Sequence, residues 1–151
     1  MLLPRPDHGV VAAEPPGTGP GYWAGAPCAV AGDGEIFLAY RLRRPIAQGR
    51  GSAVAVARSA DGERFETVAT IGKDAMDTES LERPALVRTP EGRWRLYLSC
   101  ATTGTKHWRV EVTEAAHTAE FDVRNRQTVL PGDAKTGVKD PVIVHHRGLW
   151  H

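Results

Sequence analysis

The chain has 151 residues, 41% hydrophobic and 25% charged, which suits one cored globular domain and excludes a disordered segment or a fibre. Nineteen basic and eighteen acidic residues leave a formal net charge of +1, so no overall field favours nucleic acid or an acidic membrane as a partner. Its two cysteines, Cys28 and Cys100, lie in apolar strand contexts and read as buried free thiols, not a secreted disulfide framework.

Residues 1–21 carry Pro4, Pro6, Pro15, Pro16 and Pro20 together with four glycines, a composition that predicts an irregular arm. Its opening, Met1 to Asp7, lacks the long apolar core of a signal peptide, and no stretch approaches the length of a membrane span, so the expected location is the cytoplasm. Within the arm, Gly9 to Ala13 is a candidate strand of the kind that completes the last blade of a closed propeller.

From residue 22 onward the chain repeats itself. Pro27, Pro84 and Pro141 stand 57 residues apart, each before a short apolar run: Cys28-Ala29-Val30, Ala85-Leu86-Val87 and Val142-Ile143-Val144. At the same spacing of 57, Phe37 matches Trp94 and Tyr40 matches Tyr97; at 56, Val54, Val56 and Phe65 match Val110, Val112 and Phe121. Each Pro is followed seven or eight residues later by a glycine, Gly34, Gly92 or Gly148, and then by further alternating apolar residues. A period of several tens of residues built from short strands predicts an all-β fold, a β-propeller with one four-stranded blade per repeat.

The first repeat, starting near residue 22, offers strands over Cys28 to Ala31, Glu35 to Arg41, Ser52 to Arg58 and Glu66 to Ile71, with turns at Asp33-Gly34 and Asp61-Gly62. Ser59 to Phe65 loosely resembles the Asp-box of sialidases, but it matches once and reads as a plain turn. The basic run Arg41, Arg43, Arg44 and Arg50 reads as a solvated loop and not as a nucleic-acid surface. The second repeat, from near residue 79, predicts strands over Ala85 to Arg88, Arg93 to Ala101, His107 to Thr113 and Gln127 to Leu130. The third opens near residue 136 with a strand after Asp140 and a turn at Arg147-Gly148. Residues 22–151 thus make about two and a half blades, and since the smallest propellers have four, the expectation is an incomplete propeller, truncated or completed by its missing C-terminal blades or by another chain.

In a propeller, positions at the start of each blade's first strand converge on one central funnel. Here these are Gly25 and Ala26, Glu82 and Arg83, and Lys139 and Asp140, with Trp23 on the same rim. Carboxylates and cations offer charged hydrogen bonds to sugar hydroxyls, and an indole offers a stacking face to a sugar ring, so a carbohydrate is the expected partner. Plainer readings exist for each: Asp140 as a turn cap, Glu82 and Arg83 as a rim ion pair, Trp23 as a packing residue. His145 and His146 are adjacent, point to opposite faces of a strand and predict no metal site. No phosphate-binding loop or serine nucleophile motif is present, and no cofactor is implied.

Through this blade pattern and Lys139-Asp140-Pro141, residues 22–151 resemble the five-bladed β-propeller glycoside hydrolases, the superfamily of arabinanases and β-xylosidases (family 43) and of invertases and levansucrases. The resemblance implies glycoside hydrolysis or transfer by the intact protein, with Asp140, the one residue here that matches a family position, as a supporting acid. From the residues themselves, Glu82 is the candidate substitute for the missing base, because Arg83 beside it favours the carboxylate form, and Trp23, Arg83 and Lys139 are the candidate substrate-binding residues of the funnel. The family's first acid would fall where this chain has Ala26, and its proton-donor Glu would fall beyond His151, so these 151 residues are expected to be inactive alone. The alternatives are a non-catalytic carbohydrate-binding propeller and a protein-interaction scaffold.

Overall fold

A computed structural model describes Asp7 and residues 9–151; the opening of the arm, residues 1–6 and His8, lies outside the described residues. Strands β1 (Trp23–Gly32), β2 (Glu35–Arg43), β3 (Gly51–Ser59) and β4 (Glu66–Gly72) form one four-stranded antiparallel sheet in sequence order. Strands β5 (Ala85–Arg88), β6 (Trp94–Ala101), β7 (Trp108–Ala115) and β8 (Gln127–Leu130) form a second, and β9 (His145–His146) with β10 (Leu149–Trp150) a two-stranded hairpin. The described residues contain no α-helix, only short 3-10 turns, and no helix long and apolar enough to cross a membrane. Two complete blades followed by a hairpin make a partial propeller.

The hairpin turns follow from their residues. Asp33 and Gly34 both take positive φ, 54° and 78°, which two-residue turns with the twist of the flanking strands require, and Arg147 and Gly148 repeat it at 50° and 79°. In the turn after β3, Asp61 Oδ1 accepts hydrogen bonds from the amides of Glu63 and Arg64 and from the Ser59 hydroxyl. This is local turn chemistry, as the plainer reading of that segment holds.

Alternation along the strands divides the faces. Phe37, Ala39, Val54 and Val56 of the first blade meet Leu81, Leu86, Trp94, Leu96, Leu98 and Cys100 of the second in one buried cluster. Phe37 and Trp94, matched in the sequence repeat, touch as tilted rings with centroids 4.5 Å apart. Between the first strands of the two blades the Cys28 thiol lies 3.4 Å from Leu86 N and 3.5 Å from Leu86 O. Cys100 is buried, and burial, reinforced by the Glu111 charge, pushes its thiol up to about 12, leaving it unreactive. The opposite face of the first blade, Tyr40, Ala55 and Ala57, is covered by Ala13 of the arm and by Phe65.

Two expected strands are absent. Residues 9–13 are irregular, because they lie against the sheet face near Ala24, Leu38 and Tyr40 and not along an edge with free backbone groups. The run Pro141 to Val144 joins the third hairpin only at its end, where Val144 and His151 exchange backbone hydrogen bonds of 2.9 and 2.8 Å. Val142 is 65% exposed, so this run lacks the facing layer that burial of an apolar strand needs.

Candidate functional site

The two blades approach each other closely where β3 begins. A Cβ on Gly51 would stand 2.0 Å from Leu81 O, so only glycine allows this approach, and Leu81 N donates to Gly51 O at 2.9 Å. Glu82 follows directly at the start of the second blade's innermost strand. Across from it, the β2 face that carries Phe37 and Ala39 into the core carries Arg41 two residues further on. Arg41 and Glu82 form an ion pair with side chains only 7% and 12% exposed. Arg41 is therefore buried in a strand, correcting its reading as part of a solvated loop, while Arg44 and Arg50 are exposed. Glu82 pairs with Arg41 and not with the adjacent Arg83, because neighbouring residues in extended chain point to opposite sides.

Trp23 stands at the rim, 40% exposed, with the Arg41 guanidinium 4.9 Å from its ring centroid. Its indole lies over Gly25, where a Cβ would come within 2.4 Å of the ring. Beyond Gly25 the ladder to β2 is interrupted until Cys28, so Ala26 and Pro27 bulge out of the sheet, and Ala26 takes a φ of 51°. Asp140, 114 residues on and also before a proline, takes a φ of 58°. The first and third repeats thus share a backbone kink, absent at Arg83 of the second, that aspartate tolerates and alanine does not favour.

Asp140 is tied to the second blade by its backbone: its amide donates to Ser99 Oγ at 2.9 Å, and the Ser99 hydroxyl donates to Arg83 O at 3.1 Å. Its carboxylate lies 3.8 Å from Lys139 Nζ, and no backbone amide among the described residues donates to it, unlike a turn-capping aspartate. Lys139 in turn lies 5.0 Å from the ring centroid of Trp108. Burial pushes the Arg41 guanidinium below its ordinary value; Arg43 and Arg50 push the same way, and Asp140 opposes them. Arg41, Glu82 and Asp140 therefore share one charged region at the strand openings, with Lys139 and Trp23 on its border.

Arg83 contributes its carbonyl to the Ser99 link, and its Nε is buried without a partner. Between the blades, a cleft of about 430 Å³ is lined by Glu82, Glu79, Ser80, Arg50, Lys106 and Trp108, among others. Sequence reasoning missed Arg41 and Trp108. The alternation Phe37-Ala39-Arg41 was the available signal for the first; for Trp108, its place at the opening of the second blade's third strand was the only one. Among the described residues no group of three or more His, Cys, Asp or Glu could hold a metal ion, and His145 lies against Trp150 with tilted rings whose centroids are 4.8 Å apart.

Solved structures share this fold. A GH43_1 enzyme from Xanthomonas citri complexed with xylotriose superposes with a TM-score of 0.54 at 15% identity, over 66% of this chain and 30% of that one. A structure from the GH130 family of mannoside phosphorylases, containing glycoside hydrolases that target β-1,2 mannosidic linkages in Candida mannan, gives 0.53 at 19%, over 74% and 32%. A glycosyl hydrolase from Bacteroides ovatus gives 0.51 at 18%, over 66% and 30%. No family model matches the sequence, and no curated protein matches it. At these identities the likeness is one of fold: the chain has the architecture of the β-propeller glycoside hydrolases and spans about a third of the length of the structures it matches.

Proposed function

We propose that the protein engages a carbohydrate in the funnel at the strand openings, as a glycoside hydrolase-like propeller. The observation that carries this reading is the buried ion pair of Arg41 with Glu82 across two blades, with the Asp140 charge acting on the same guanidinium. Trp23 and Trp108 border that region and supply apolar ring faces beside charged hydrogen-bond partners. Asp140, 41% exposed in its side chain, is the group placed to meet substrate hydroxyls; Lys139 and Trp23 flank it, and Arg83 buttresses it through Ser99.

Hydrolysis requires one carboxyl group to protonate the leaving oxygen and a second to attack or to activate water. Glu82, held by Arg41, serves as a charged acceptor, and Ala26 brings no carboxylate to the kinked position that Asp140 occupies two repeats later. These two features favour the second reading, a propeller that binds sugar without cleaving it. Turnover of aryl arabinosides, xylosides and fructosides, measured alongside calorimetric binding of xylotriose and arabinotriose, separates the two. Measured on a protein completed to a full propeller, binding without turnover selects the binder and turnover lost in Asp140→Asn selects the enzyme, while neither binding nor turnover removes the carbohydrate reading.

A further inference from the structure

The funnel region holds more positive charge than its carboxylates neutralise. Glu82 takes Arg41, and Asp140 takes Lys139. No carboxylate among the described residues lies in ion-pair range of Arg43 or Arg50, although both charges act on Arg41. A pocket of about 370 Å³ is lined by Gly21, Tyr22, Trp23, Arg41 and Arg43, with no acidic residue in its wall. Arg41, 6% exposed, has its Nε unpartnered, and the Nε of Arg43 is likewise buried without a partner. Donors left unsatisfied away from water are costly, and a planar guanidinium meets an oxyanion through paired hydrogen bonds. The Tyr22 hydroxyl donates to Gln48 Oε1 at 2.7 Å, so the donors the pocket wall offers are those of Arg43, the part of Arg41 not held by Glu82, and the Trp23 indole N–H.

We infer that this pocket takes an anionic substituent of a sugar, a carboxylate or a phosphate, held by Arg43 and Arg41 while Trp23 meets the ring. The inference rests on the carbohydrate reading above and narrows its substrate to acidic glycans. Arg41 bridges the two parts of the site: its guanidinium touches Glu82, which lines the inter-blade cleft, and lines the anion pocket beside Trp23. A sugar spanning the pair would place its charged group at Arg43 and its neutral hydroxyls toward Glu82 and Asp140.

Amide-shift titrations with methyl β-D-glucuronide, glucose 6-phosphate, methyl β-D-glucoside and inorganic phosphate test this. At low salt one of the two acidic sugars is expected to bind about ten- to hundredfold more tightly than the neutral glucoside, with the advantage shrinking as salt is added. Whichever acid binds better identifies the group as carboxylate or phosphate. Arg43→Gln abolishes the advantage and Arg43→Lys keeps part of it; Arg50→Gln, in an exposed loop, reduces it less and provides a folded variant should the others unfold. Equal binding of acidic and neutral sugars overturns the inference and leaves the carbohydrate reading intact. Binding of inorganic phosphate with no sugar bound at all overturns both.

Discussion

The inter-blade interface has two ends made from the same strands, and they differ in kind. Over most of its length it is apolar: Phe37, Val54, Val56, Leu86, Leu96 and Leu98 are buried against one another. At the strand openings the same interface becomes ionic, with the buried pair of Arg41 and Glu82, and Asp140 and Lys139 of the third repeat stand half-exposed beside it. Nothing in the backbone marks the change along β2, where Phe37, Ala39 and Arg41 alternate onto one face without interruption. The apolar end supplies stability, and the charged end spends some of it to hold donors and acceptors at a fixed spacing.

Substitutions at each end separate these roles. Leu98→Ala, at a fully buried site in the apolar half, is expected to cost about 4 kcal/mol through lost contacts and the residual cavity, with little change at the funnel amides. Glu82→Gln leaves the Arg41 guanidinium buried without its counter-charge and is expected to cost about 3 kcal/mol. Chemical denaturation measures both, and a smaller loss for Glu82→Gln than for an exposed pair such as Arg58 with Glu66 would erase the distinction between the ends. Ala26→Gly works in the opposite direction: relieving a φ of 51° is expected to raise stability by about 1 kcal/mol. A melt at or below that of the parent would mean the kink is not strained.

The smallest effect lies outside the interface, at the turn after β3. The amides of Arg64 and Glu63, with the Ser59 hydroxyl, hold the Asp61 carboxyl at about 2, below its ordinary 3.8. Because the folded value is depressed, the contribution of this turn is fully present above about pH 4 and is lost as pH falls toward 2. Carboxyl chemical shifts followed through that range report it; a midpoint near 3.8 would show the hydrogen bonds to be weak.

The blades were legible in the sequence because the period of about 57 residues and the short apolar strands bounded by turn residues are properties of the chain alone. β5 and β8 fall where the pattern predicts, and the other blade strands differ mainly by a few residues at their ends. The candidate site was only partly legible. Glu82, Asp140, Lys139 and Trp23 could be named from their places near the repeated prolines, but the partner of Glu82 comes from another blade, and no local pattern pairs residues 41 apart. The run after Asp140 is apolar enough for a strand, yet a strand also needs an adjoining edge and a covering layer, which sequence pattern does not supply.

The most direct test of the account is to map where a sugar touches the protein. Titrated with xylotriose and the methyl glycosides above, the protein should show amide shifts concentrated at Trp23 to Gly25, Arg41 to Arg43, Glu82, Arg83, Lys139 and Asp140. The hairpin turns at Asp33-Gly34 and at Gly92, at the other end of the same strands, should stay unchanged. Shifts confined to those turns, or absent everywhere with saturating sugar, would contradict a funnel at the charged end.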